Sequence, residues 1–270
     1  MTELNDQLVL AVQEGDVETA TTAIRSGADV NVSVWNIKSG LFRFIQSTEM
    51  FNLLIEAGLK VGHKTLVDTG NEKLIQWLID FGLPVDGVEG ADGNVYTALM
   101  RQSGTGNLPL VKLLLENGAN PNAFGRRTRW TALHFAVNNA QDNRRPLDHR
   151  PHLEIIDLLL QHGANIEAQD DEGMTPLIRA AHNQEPNLTK HLLMAGAYIH
   201  AVDLRNRTAI DNAQRAYLLN KTRADEALKR SGFKEWPLFT EQYQETLKIL
   251  TDWAASHPLQ IDPHTGEIVR

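Results

Sequence analysis

The 270-residue sequence contains no cysteine, which removes disulfides, zinc–thiolate sites, iron–sulfur clusters and cysteine nucleophiles. A cysteine-free chain fits a reducing compartment. No apolar run approaches the roughly 20 residues that a membrane-spanning helix needs, so no membrane partner is expected. The opening Met1–Gln7 (MTELNDQ) is polar and acidic, with no basic stretch leading into an apolar one. No secretory signal is therefore expected, and the chain is expected in the cytoplasm. Lys and Arg total 26 against 34 Asp and Glu, a net charge of −8. That balance argues against a surface built to coat nucleic acid or anionic lipid.

Catalytic signatures are missing too. Ser103–Asn107 (SGTGN) is glycine-rich, but LPLVKLLL follows it directly, which makes it a turn between helices rather than a phosphate loop after a strand. Neither a G-x-S-x-G elbow nor an H-E-x-x-H helix occurs. The carboxylates of Asp170, Asp171 and Glu172 (QDDEG) fall in a turn and read as a solvated loop. Asp148, His149 and His152 (DHRPH) come nearest to metal-ligand spacing, but Pro151 interrupts them and no paired ligand lies upstream. No catalytic residue, metal or cofactor is expected.

What is present is a repeat. Gly27, Gly58, Gly82, Gly118, Gly163, Gly196 and Gly232 recur after Leu-rich stretches. Four of these print nearly the same phrase: AIRSGADVNV from Ala23, LLLENGANPNA from Leu113, LLLQHGANIEA from Leu158 and HLLMAGAYIHA from His191. A second signal alternates with it: TALM at Thr97, TALHFA at Thr131, TPLIRA at Thr175 and TAIDNA at Thr208. Thr131, Thr175 and Thr208 suit helix N-caps, whose hydroxyls accept from an orphan amide of the first turn. Pro176 suits the first helical position. Gly118, Gly163 and Gly196 suit C-caps with positive φ, and Asp29, Asn31, Asn120 and Asn122 then turn the chain. The helix carrying Ile155, Ile156, Leu158, Leu159 and Leu160 is too apolar to stand without neighbours on both sides.

At these residues the sequence resembles the ankyrin-repeat family over about residues 4–232, most specifically from Thr97 to Ala213. Between Val34 and Val88 the segments GLFRFI (Gly40–Ile45) and HKTLVD (His63–Asp68) replace the Thr-Pro-Leu-His box. The resemblance implies an all-α solenoid of stacked helix-turn-helix units with hairpin fingers and a concave binding face. About seven repeats are expected, at 4–33, 34–62, 63–92, 93–126, 127–170, 171–204 and 205–232, followed by a tail over 233–270. It also implies a structural role for His134, hydrogen-bonding between adjacent loops. His162 sits favourably at a helix C-terminus. Thr240–Ala255 reads as an amphipathic helix, with Tyr243, Leu247, Leu250 and Trp253 or Ala254 on one face, covering the last repeat. Ser256–Arg270 reads as extended or loop.

Thr97–Gly118 and Thr175–Gly196 each span 21 positions, whereas Thr131–Gly163 spans 32. The extra residues fall in an insertion at Asn138–His152, where a loop grows at little cost. Between Arg126 and His152 lie six arginines against two acids, a local charge of +4 that leaves −12 on the rest of the chain. Every base there is Arg, which suits bidentate recognition of carboxylate or phosphate. Arg126, Arg127 and Arg129 belong to a finger beside Phe124 and Trp130, and Arg144, Arg145 and Arg150 to the insertion. Asp86, Glu89 and Asp92 form one acidic finger, and Glu167, Asp170, Asp171 and Glu172 another. Such carboxylates would speed the docking of a basic partner. Trp35, Phe42 and Phe44 are aromatic hot-spot candidates.

The expected function is a non-catalytic, monomeric module that binds another protein through fingers and concave face. Its resemblance to bacterial stand-alone ankyrin proteins implies an immunity-type inhibitor that holds a toxin or effector. A scaffold, adaptor or host-targeted effector is the alternative. Binding of nucleic acid or a phosphate-rich ligand through Arg126–Arg150 is the further alternative.

Overall fold

The computed structural model describes residues 3–32, 40–62, 66–67, 70–87, 96–138, 150–231, 238–258, 260–261 and 268–269. Among them are twelve α-helices: α1 (Glu3–Glu14), α2 (Val17–Arg25), α3 (Thr48–Glu56), α4 (Glu72–Asp80), α5 (Ala98–Thr105), α6 (Leu108–Glu116), α7 (Ala132–Asn138), α8 (Arg150–Gln161), α9 (Pro176–His182), α10 (Pro186–Met194), α11 (Ala209–Ser231) and α12 (Leu238–Ser256). A 3-10 helix, Gly40–Phe44, precedes α3. Gln260–Ile261 and Ile268–Val269 form a two-residue antiparallel bridge.

The helices stack in two rows. In the inner row α1 meets the 3-10 helix, and α5, α7, α9 and α11 pack in succession. In the outer row α2 packs on α3, α4 on α6, α6 on α8, and α10 on α12. This is an all-α repeat solenoid. Local sequence explains where six of these helices start: Asp16, Ser47, Asn71, Thr97, Asn107 and Thr175 each accept from the backbone N–H three residues on. Gly163 shows how they stop. At φ 84° it closes the helix, with its N–H on the Leu160 carbonyl at 3.0 Å and the Ala164 N–H on that of Leu159 at 2.9 Å. Between the rows Ile155, Ile156 and Leu159 are fully buried, with Leu114, Leu133, Leu188 and Leu192.

A ladder of side chains stitches one finger to the next. The residue four after the capping glycine reaches forward each time. Asn31 accepts from the Lys60 N–H at 2.8 Å and donates to the Gly58 carbonyl at 3.0 Å. Asp86 accepts from the Asn120 N–H at 3.0 Å. Asn122 accepts from the Asn165 N–H at 2.7 Å and donates to the Gly163 carbonyl at 2.8 Å. Glu167 accepts from the Tyr198 N–H at 2.7 Å. One rung has neither end. Gly62 has no side chain to reach with, and the facing position is Pro84, which has no N–H to offer.

The last unit differs from the expected one. Residues 205–232 were to hold two helices, but Ala209–Ser231 is one helix of 23 residues. No glycine or proline interrupts it before Gly232, so nothing stops its propagation. The outer helix comes instead from the tail: α12 packs against both α10 and α11. Leu250 and Thr246 are fully buried, and Tyr243 stacks on Tyr217 at 4.0 Å. The ladder carries on into it, because His200, again four after its glycine, pairs through Nε2 with the His257 carbonyl at 2.9 Å. The amphipathic tail helix is therefore the missing half of the seventh pair.

Candidate protein-docking surface

Among the described residues three fingers can be compared, and two of them follow one plan. In residues 170–174 the Asp170 N–H donates to the Met174 carbonyl at 3.1 Å, and in 203–207 that of Asp203 donates to Arg207 at 3.0 Å. Both aspartates turn inward. Asp170, 4% exposed, accepts from the Glu172 and Met174 N–H groups and pairs with Arg179. Asp203 accepts from the Arg205 and Arg207 N–H groups, the Arg207 guanidinium and the Asn212 amide. Burial alone would raise the Asp203 carboxyl, but these donors overcome it and hold it at about 2.

The exception is residues 125–130. Gly125 replaces the inward aspartate, and its N–H reaches the Trp130 carbonyl at 3.0 Å, one residue further on than in the other two. At the left-handed position the neighbours carry Gly173 and Asn206, whereas here Arg129 sits at φ 53°. That costs an arginine roughly 1 kcal/mol or more. Trp130 and Phe135 occupy the positions that hold Arg207 and Arg179 in those units, counted from the box threonine. The Asp–Arg pair has been exchanged for an aromatic pair.

The aromatics form a half-buried run. Phe135 meets Tyr96 edge-on at 5.2 Å and Trp130 edge-on at 5.4 Å, and the Arg179 guanidinium lies 5.1 Å from the Trp130 ring centre. Below them His134 is fully buried. Its Nδ1 accepts from the Thr131 N–H at 3.3 Å, which assigns the proton to Nε2, facing the Met174 carbonyl at 3.1 Å. Burial holds the imidazole below its ordinary pKa.

At the tip, Arg126, Arg127 and Arg129 are all exposed and none has an ion-pair partner among the described residues. The Arg129 guanidinium lies 5.1 Å over Phe124, which is 54% exposed. A cleft of about 450 Å³ separates this finger from the next, lined by Phe124, Arg129 and Thr131 on one wall and Asn165, Glu167 and Gln169 on the other. The Asp171 N–H ties the two fingers together at the Thr128 carbonyl, 3.0 Å away.

Several of the residues expected to bind a partner have other positions. Phe42 is 6% exposed and belongs to the core, because the 3-10 helix turns it inward. Asp170 is buried by Arg179. Asp86 is half-buried on the Asn120 N–H. Arg150 begins α8 rather than sitting in a loop. Trp35, Glu89, Asp92, Arg144 and Arg145 lie outside the described residues. Asp171, Arg126, Arg127 and Arg129 are exposed, and Trp130 is half-buried. Tyr96 and Phe135 were not anticipated. Aligning residues by their distance from Thr97 and Thr131 would have revealed them. His152 points its Nε2 at the Gly104 carbonyl, 3.4 Å away. No group of three potential metal ligands forms among the described residues, and none of the described helices is long and apolar enough to cross a membrane.

Paired helices, capping glycines and laddered fingers define a solenoid of the helix-pair repeat class. Family models for ankyrin repeats match residues 63–147 and 149–193. The chain is an ankyrin-repeat protein, and its repeats make it a protein-binding module of a generally non-catalytic family. A fowlpox virus protein named for its ankyrin repeats is 34% identical over 131 residues, covering 48% of this chain and 35% of its own length. A Treponema pallidum protein named for the same repeats is 32% identical over 149 residues, 52% of this chain and 45% of its own. Protein glp-1 of Caenorhabditis elegans is 25% identical over 223 residues, 79% of this chain and 15% of its own. The chain thus spans less than half the length of each.

Proposed function

We propose that the chain docks a protein partner on the finger at residues 123–131 and the adjoining aromatic run, and acts by occupying that partner rather than by catalysis. The observation that carries this reading is the run Tyr96–Phe135–Trp130, which stays half-exposed where the next two units along the chain have Asp–Arg pairs. Aromatic side chains supply large contact area at low entropic cost, and they concentrate at interface hot spots. In its narrower form the partner is a toxin or effector that the chain neutralises, as the bacterial resemblance implies.

The test is photo-crosslinking in the cell of origin, with a diazirine amino acid at residue 135 or, on the outer row, at residue 112. A discrete partner band from 135 and none from 112 is the expected outcome. Equal labelling from both positions refutes the docking face. For the narrower form, the crosslinked partner must be toxic alone and harmless when this chain is co-expressed.

A further inference from the structure

We infer that the segment docked by this finger is acidic: an extended stretch of the partner rich in Asp and Glu, received by Arg126, Arg127 and Arg129 beside Phe124. The inference rests on the docking reading above and sets aside the basic partner that the acidic fingers suggested. A basic partner would need several free carboxylates, yet Asp170 is buried against Arg179 and Asp86 is committed to the Asn120 N–H, which leaves Asp171 as the exposed aspartate of these fingers among the described residues. Glu172 also faces Arg179, at 3.1 Å. The arginines carry no such commitments. Residues 123–131 hold three Arg and no acid.

The geometry is ready for carboxylates. The Arg129 guanidinium lies over the Phe124 ring, 5.1 Å from its centre, and its N–H groups have no acceptor among the described residues, so they are open for bidentate contact. Its left-handed backbone is retained although Gly and Asn serve at the same place in the next two fingers. Strain of that kind persists where a side chain has a use. The −12 on the rest of the chain does not repel such a segment strongly, since screening at physiological salt acts within about 8 Å. A nucleic acid is the competing ligand for the same cations, and the oligonucleotide arm below separates the two.

The experiment uses the full chain and a panel of short fluorescein-labelled peptides of constant length and rising Asp/Glu content, read by anisotropy. A Lys-rich peptide and a single-stranded oligonucleotide are the other arms. Affinity should rise with acid content and fall with salt. It should drop at least about tenfold in the variant Arg126→Ala, Arg127→Ala, Arg129→Asn. Asn suits the left-handed site, so an unchanged melting curve confirms the fold. Arg→Lys at all three positions should recover only part of the loss. Affinity independent of acid content, an unaffected triple variant, or tighter binding of the Lys-rich peptide or the oligonucleotide overturns the inference. If crosslinking from residue 135 persists at full strength in the triple variant, the docking face stands and the acidic segment does not.

Discussion

Gly173→Ala should destabilise the chain well beyond substitution of a capping glycine such as Gly163, because two costs coincide there. Gly173 has φ 75°, and an alanine in that region costs roughly 1–2 kcal/mol, partly offset by its stiffer unfolded state. The same backbone cost applies at Gly163, φ 84°, where an added Cβ meets nothing within 4 Å. At Gly173 the Cβ would lie 2.7 Å from the Leu204 nitrogen and 2.9 Å from its Cγ. The nearest atom is backbone, so the finger at 203–207 must move. That movement breaks the 3.0 Å hydrogen bond from the Leu204 N–H to the Glu172 carbonyl, worth about 1 kcal/mol. We expect about 1 kcal/mol for Gly163→Ala and about 2–3 kcal/mol for Gly173→Ala. Urea titrations followed by far-ultraviolet circular dichroism, on both variants in one buffer, measure the difference. Equal costs would refute the claim that adjacent fingers are locked together at this point.

Asn122→Ala removes two hydrogen bonds between units and should cost about 1–2 kcal/mol by the same titration, with Asn122→Asp losing less because it keeps the acceptor. Leu250→Ala should cost roughly 2–5 kcal/mol and speed hydrogen exchange in α12 and α10 while leaving α5 and α7 unchanged, whereas a loosely attached tail would leave exchange unaltered. His134, His152 and His182 are all held below the ordinary imidazole pKa by burial, so their folded forms reject the proton. Their stabilising contribution is complete above pH 6.5 and is lost as the pH falls through it, and His134→Gln should flatten that limb of the stability profile. Glu185 acts in the opposite sense. Burial pushes it up to about 7 from 4.5, so its folded form favours the proton and stability falls as the pH rises between those values. Glu185→Gln should gain roughly 2–3 kcal/mol at pH 8 and little at pH 4, and a pH-independent gain would contradict the assignment.

The parts of the fold that were legible are the parts set by local chemistry. Thr175 caps its own helix and Gly163 ends its own, whatever surrounds them, so the repeat could be read from the recurring phrases, and the family from their resemblance. The last unit was not legible in that way. Its inner helix runs unbroken to Ser231, and its outer helix follows Gly232 without the usual glycine phrase, so α12 read as an appendage. Only the packing against α10 and α11, and the His200 rung, identify it as the seventh outer helix. Side-chain direction was hidden for a similar reason. Whether Asp170 faces solvent depends on Arg179, nine residues on and in a different element. Composition reports the carboxylate but not the pairing.

The exchange of an Asp–Arg pair for Gly125, Trp130 and Phe135 links this divergence to binding. In the fingers at 170–174 and 203–207 an inward carboxylate satisfies the finger's own N–H groups and is neutralised by an arginine, buried Arg179 in the first and half-buried Arg207 in the second. In the finger at 125–130 Trp130 and Phe135 fill those positions without ions. Its arginines are exposed. The scaffold that holds this finger is unchanged: Asn122 still bridges to Asn165, and His134 still reaches Met174. This finger keeps those two contacts to the next unit, and its three exposed arginines have no ion-pair partner among the described residues. A single unit in the middle of a regular stack can thus carry specificity without weakening the stack.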